Sequence, residues 1–305
     1  MIRWPYKFRK PEGVKKGIPG LRVLWYKWDV FAENWYIRWA ALPEQGVYTG
    51  SERSEKVILS LTSFPARIHQ VYYAIKSLML QTIQADEIRL YLAEEQFPQK
   101  KLPKKLQNLV EKGLRIIWVD DKRSHKKYYD SLLNQRENEL IITYDDDIIY
   151  EKDSVEKLIA GHKRFPDCII CNRGETILRD ADGVMKPQSL WRINSKVGVC
   201  EPTMEVMPST GAGCLYPYGA VPEITFDWDI AKNNALTADD LWMRFCSYSY
   251  GTKVVKTRET IATLCIVHGS QKEKLTEIND INGENQRVIE RLSTLFPSVY
   301  RVKED

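Results

Sequence analysis

The segment Ile141-Ile142-Thr143-Tyr144-Asp145-Asp146-Asp147-Ile148-Ile149-Tyr150 constrains the fold more than any other. An apolar, β-prone run stops at three consecutive carboxylates and resumes as a second apolar pair. Burying an unpaired carboxylate is costly or forces its neutralisation, so a buried strand must surface here. In open α/β sheets, ligands bind in the crevice beyond the carboxyl ends of the strands. Strand geometry sends Asp145 and Asp147 to one side. Two hard oxygen donors with coordination positions left open suit Mg²⁺ or Mn²⁺ gripping a diphosphate. The plainer alternative is a solvated loop start or helix cap; the long apolar lead and the tripled acid favour the metal–phosphate site.

Around this segment the periodicity alternates. Strands are predicted at Lys56 to Thr62, Glu87 to Leu92, Leu114 to Val119, Leu140 to Tyr144, Cys168 to Cys171 and Thr260 to Val267. Helices are predicted at Arg67 to Gln81, Lys101 to Lys112, Lys126 to Gln135, Ser154 to Lys163 and Glu284 to Leu295. Such alternation implies βαβ units and an α/β fold with a mostly parallel sheet flanked by helices. Beyond Gly174 the pattern breaks into a Gly- and Pro-punctuated region, the kind of segment that commonly carries binding groups. Its Trp191, Tyr218 and Trp228 are aromatic candidates for contact with a ligand.

Residues 1 to 42 are unlike the rest. They hold nine Lys or Arg against three acids, in a chain whose net charge is +4, so the remainder is net negative and is no nucleic-acid binder. They also hold five of the nine tryptophans. Leu21, Leu24, Trp28, Phe31, Trp35, Trp39 and Leu42 recur at helical spacing as one stripe. Two alternatives stay open: a helix in the interface of an anionic membrane, or a helix packed on the body with the stripe as core. Residues 44 to 55 read as a polar linker. The expected division is 1–55, a basic Trp-rich helical extension and linker, and 56–305, an α/β domain with halves 56–174 and 175–305. No apolar run reaches the roughly 20 residues of a membrane span, and no signal-peptide core is visible. The expectation is a cytoplasmic protein, peripheral on the inner face of the cell membrane. The pair Cys168 and Cys171 reads as buried thiols rather than a metal site.

Several motifs then fall in a fixed order. The first strand ends in Thr62-Ser63-Phe64-Pro65-Ala66-Arg67, and the third in Asp120-Asp121-Lys122-Arg123-Ser124-His125-Lys126-Lys127. The aspartate triple, Ser209-Thr210-Gly211-Ala212-Gly213, Thr237-Ala238-Asp239-Asp240 and His268 follow. This order resembles GT-A nucleotide-sugar-dependent glycosyltransferases, most like bacterial family-2-type enzymes of surface-polysaccharide synthesis, over about residues 56 to 295. The resemblance implies metal-dependent transfer from a nucleotide-sugar donor to a saccharide or lipid-linked saccharide acceptor. It puts Asp147, Asp145 and His268 on Mn²⁺ or Mg²⁺, and Thr62, Ser63, Arg67, Asp145 and Asp146 on the donor; Arg67, Arg123, Lys126 and Lys127 can supplement the charge on the departing diphosphate or contact the nucleotide base. It makes 56–174 the nucleotide-sugar half and 175–305 the acceptor half, with Trp191, Tyr218 and Trp228 as candidates to stack on a sugar ring. It puts Asp240 or Asp239 at the acceptor hydroxyl as the base of an inverting reaction, with Asp240 preferred. The chain departs from the family pattern in having Asp-Asp where Glu-Asp is common, which leaves open which of the two is the base.

The rival class is a metal-dependent phosphoryl-transfer enzyme. A haloacid-dehalogenase-type phosphatase also uses Asp-x-Asp after an apolar strand, but there the motif opens the domain, whereas three strands precede it here. A nucleotidyltransferase shares the sheet but starts on a Gly-rich loop, and Ser63-Phe64-Pro65-Ala66 has no glycine. A scaffold without activity is the non-enzymatic rival; the retention of both acidic clusters argues against it.

Overall fold

The computed structural model describes residues 19–192, 194–258, 264–270 and 283–302. A seven-stranded sheet runs through the molecule. In chain order its strands are β1 (Lys56–Thr62), β2 (Glu87–Ala93), β3 (Leu114–Val119), β4 (Glu139–Tyr144), β6 (Ile169–Cys171), β9 (Ala212–Tyr216) and β10 (Val254–Lys256). Their spatial order is β10-β6-β9-β4-β1-β2-β3. All neighbours are parallel except β9, which lies antiparallel between β4 and β6. The α/β class expected from the alternation is therefore present, as a mixed sheet.

The side-chain period of two explains the two cores. Val57, Leu59 and Leu61 point to one face of β1 and pack under the helix Val71–Met79 through Ile75 and Leu78. Ile58 points to the other face, with Ile141, Tyr128, Trp242 and Phe245. Every residue of β4 is buried, as expected of a strand covered on both faces. Ser60 shares the second face and needs partners there. Its hydroxyl donates to the Lys127 carbonyl at 2.5 Å and lies 3.0 Å from the Ser131 hydroxyl, which is 2.8 Å from that of Tyr91. This buried chain pins the short turn Arg123–Lys127 to the sheet.

Two smaller antiparallel pairs accompany the sheet: β7 (Gly174–Thr176) with β8 (Val206–Pro208), and β5 (Ile148–Ile149) with β11 (Cys265–Ile266), where the Val267 amide donates to the Asp147 carbonyl at 2.8 Å. The strand expected at Thr260 to Val267 is described only in this carboxyl half; residues 259–263 lie outside the described residues. The segment expected to be a linker is held across the amino ends of β3 and β2: Gly46 and Tyr48 donate to the Lys112 and Ala85 carbonyls, and Arg53 pairs with Asp86.

The helix Pro19–Trp39 packs on the body. Its Tyr36 and Ile37 are buried, whereas Leu24, Trp28, Phe31, Trp35 and Trp39 are exposed. This corrects one of the two alternatives above. The helix does dock, but through the side opposite the tryptophans, so the stripe is not core. Leu21's side chain lies outside the described residues.

Candidate active site

The antiparallel β9 builds the site. Because it enters the sheet at the carboxyl end of β4, it brings Thr210 and Gly211 beside the aspartate triple. The Asp145 amide donates to the Gly211 carbonyl at 3.0 Å, and the Tyr150 hydroxyl donates to the same carbonyl at 2.6 Å. The approach is close: a Cβ on Gly211 would lie 1.7 Å from a carboxylate oxygen of Asp145. A side chain there would displace the Asp145 carboxylate from its place beside Lys127.

The triple divides its contacts. Asp146, the middle residue, turns inward and is buried; Ser63 Oγ donates to it at 2.6 Å and Arg67 at 2.9 Å. The same Arg67 amino group reaches Asp147 at 3.0 Å. Arg67 thus ties the first strand-to-helix turn to the acid cluster. Burial raises the Asp146 carboxyl even against these two donors.

Asp145 pairs with Lys127 at 2.8 Å, and Lys127 pairs equally with Asp239 at 2.8 Å. This lysine is buried among carboxylates. Burial alone would lower its pKa, but Asp145, Asp239 and Asp240 outweigh that and hold it well above the ordinary lysine value. Asp239 and Asp240 open the helix Asp239–Ser249, where the exposed amides of the first turn favour negative charge. Burial would raise Asp239, yet Lys127 and then His125 bring it down to about 2. Asp240 goes the other way: burial and the Asp239 charge push it up to about 7. It accepts from the Thr210 amide at 3.2 Å and from the Thr210 hydroxyl. Part of its surface stays open.

The structure therefore brings Ser63, Arg67, Asp145, Asp146, Asp147, Asp239 and Asp240 into one connected cluster. His268 follows β11 one residue after Val267, close in the chain to the Asp147 contact, and it is exposed. Thr62 lies at the end of β1, its hydroxyl donating to the Tyr91 carbonyl at 2.9 Å. Lys126 is buried on Asp121 at 2.6 Å, and Arg123 is 61% exposed with a longer contact to Asp121 at 3.5 Å. Of the basic run, Lys127 is the member that bonds to the acids. Its sequence signal is the same as that of Lys126; only the pinning of the turn by Ser60 distinguishes them. Tyr150 and Gly211 went unread as site residues, though a glycine just ahead of a buried strand is a sign of close backbone approach.

Trp191 is buried, with its indole N–H on the Lys186 carbonyl, so it is not placed to stack on a sugar. Tyr218 is exposed, and Trp228 packs edge-on against His125. Cys168 and Cys171 are free and buried.

Asp145 and Asp147 supply the oxygen chemistry that a hard divalent ion takes. Among the described residues, no three His, Cys, Asp or Glu side chains are gathered as a ligand set. Lys127 and Arg67 already balance the charge of these two carboxylates.

No protein-family model matches the chain, and no curated protein matches it. Solved structures do. One is the mannosyltransferase PcManGT from Pyrobaculum calidifontis in complex with GDP-Man and Mn²⁺, with a TM-score of 0.48 and 9% identity over 88% of this chain and 72% of that one. A second is the 4-diphosphocytidyl-2C-methyl-D-erythritol synthase from Anaerococcus prevotii DSM 20548, with a TM-score of 0.42 and 11% identity over 79% and 96%. A third is S. aureus TarS 1-349, with a TM-score of 0.39 and 13% identity over 67% and 59%. At such overlaps the likeness assigns no residue a role.

Proposed function

We propose that this protein transfers a glycosyl group from a nucleotide-sugar donor to a saccharide or lipid-linked saccharide acceptor, with inversion, in cell-surface polysaccharide synthesis at the inner face of a membrane. The observation that carries this is the Lys127 bridge. It joins the strand-end acids to the helix-start acids and leaves Asp240 as the carboxyl raised toward neutrality.

A sugar hydroxyl is a poor nucleophile, so a carboxylate must take its proton as the new bond forms. Asp240 is assigned that role because its raised pKa makes it a better proton acceptor than an ordinary aspartate. Asp239 stays ionised on Lys127 and keeps the lysine in place. Ser63 and Arg67, with Thr62 beside them, are assigned to the donor diphosphate; Arg123 and Lys126 are assigned to the nucleotide side. Asp145, Asp147 and His268 would hold Mn²⁺ or Mg²⁺, which when bound neutralises charge developing on the leaving diphosphate.

The test is a panel of nucleotide sugars, screened by thermal shift with Mn²⁺ and then assayed for products. Nucleoside diphosphate with an inverted product anomer is expected. Retention of the anomer would remove Asp240 as the base of a single displacement. Inorganic diphosphate released from a nucleoside triphosphate and a sugar phosphate would instead make the protein a nucleotidyltransferase, and phosphate released from small phosphoesters would make it a phosphatase.

A further inference from the structure

The helix Pro19–Trp39 carries two chemically different faces. On the inner face, Ile37 is fully buried beside Ile149 and Val267. Asn34 donates to the Ile266 carbonyl at 2.9 Å and accepts the His268 amide at 2.7 Å. Asp29 and Glu33 line a cavity of about 300 Å³ against the body, with Arg258 and Cys265 among its other walls. On the outer face stand Leu24, Trp28, Phe31, Trp35 and Trp39, exposed by 65%, 53%, 61%, 53% and 66%. At helical spacing they form a stripe about 23 Å long. Lys27 and Arg38 are exposed and border the stripe on one shared side.

We propose that this outer face lies in the interface of an anionic lipid bilayer. Three features choose that occupant. Tryptophan and phenylalanine carried on an exposed helix beside lysine and arginine match the headgroup–acyl boundary, where aromatic rings settle. The helix's acids turn to the inner cavity, so the charges beside the stripe are basic, and the preceding residues 1–18 add six basic residues against one acid. Each such charge near an anionic leaflet is worth about 1 kcal/mol. An antiparallel pairing with a second copy would instead set the Lys27–Arg38 flank against itself, and like charges facing each other are disfavoured. No helix among the described residues is long and apolar enough to span a membrane, so the helix lies in the surface plane.

The inference does not depend on the transfer chemistry, because binding is measured without nucleotide or acceptor. The full chain is sedimented with phosphatidylcholine vesicles, with and without phosphatidylglycerol, at about 0.05 M and about 0.5 M salt. Sedimentation with the anionic vesicles at low salt is expected, at least ~10-fold weaker on neutral vesicles or at high salt, with a blue shift in tryptophan emission. The double variant Trp28→Ser, Trp35→Ser should lose ~10-fold or more in affinity while melting at an unchanged temperature, since both side chains are exposed. A chain that stays in the supernatant with all vesicles overturns the inference, as does a double variant that binds as well as the parent. Light scattering that finds a dimer dissolved by the same double variant, without vesicle binding, gives the face to a second copy and also overturns it.

Discussion

The strand-end triple and the helix-start pair are built from the same residue type at the mouth of the same sheet, yet they balance their charge differently, and only the pair is split into neighbours shifted in opposite directions. Each member of the triple meets a cation: Asp145 meets Lys127, and Asp146 and Asp147 share Arg67. In the pair, Lys127 reaches Asp239, whereas Asp240 meets the hydroxyl and amide of Thr210. The result is a carboxyl at about 2 next to one at about 7. An aspartate's task in this cleft is set by which neighbour carries positive charge. Neighbouring carboxyls pushed apart in this way are a recognisable basis for dividing acid and base roles.

The sharpest way to break this contrast is to remove its odd member. Asp240→Asn should lower kcat by ~10²–10⁴-fold, the usual cost of losing a general base. Donor affinity, read by calorimetry, should hardly move. A comparable loss in Asp239→Asn that is absent from Asp240→Asn would exchange the two roles.

Lys127→Met attacks the shared cation. It leaves Asp239 buried without its charge partner, a type of loss that costs about 3–5 kcal/mol, and removes the cation from the half-exposed Asp145. Chemical denaturation should show it, and the melting temperature should recover partly in Lys127→Met, Asp239→Asn. No recovery would mean that the bridge is not what holds the two clusters together.

The pH dependence sharpens the comparison further. Asp240 is raised in the folded chain, so stability from its protonated form is full below the unfolded value near 3.9 and is lost as pH rises through about 7. Asn at this position should therefore raise the unfolding free energy at pH 8 more than at pH 4, by on the order of 1 kcal/mol or more. Asp239 has the opposite sign: its stabilisation is present above the unfolded value and disappears as pH falls through about 2. Turnover should climb with pH toward neutrality as Asp240 ionises, and that acid limb should vanish in Asp240→Asn. The smallest effect is expected at Arg123→Ala, within about 0.5 kcal/mol in stability, because the Arg123 side chain is exposed and Asp121 keeps its closer partner Lys126. Any larger loss in nucleotide affinity would then report direct donor contact.

The parts of this architecture legible in the sequence were those with strong local periodicity. The bounds of β1 and β3 and of the helix Glu284–Leu295 match the predicted spans. The helix predicted from Arg67 begins only at Val71, because Pro65–Arg67 forms a separate short turn that holds Arg67 against the acids. The strand β9 was hidden in a stretch that looked like loop. It is five residues long, preceded by Gly211 and with Gly213 as its second residue, and its place in the sheet comes from partners far away in sequence. Likewise the tryptophan stripe was visible but its direction was not. The helix buries a smaller patch, centred on Tyr36 and Ile37, because complementary groups wait for it on β11 and the loop beyond.

Asn34 has a consequence for handling the protein. A chain trimmed to begin at residue 56, the boundary composition suggests, would lose the group that accepts the His268 amide and the one that donates to the Ile266 carbonyl. It would also open a hole where Ile37 sits against Val267, whose own amide holds the Asp147 backbone. The shortened protein would then be a poor surrogate for the whole: a weak result from it could report a loosened wall rather than the chemistry of the cleft.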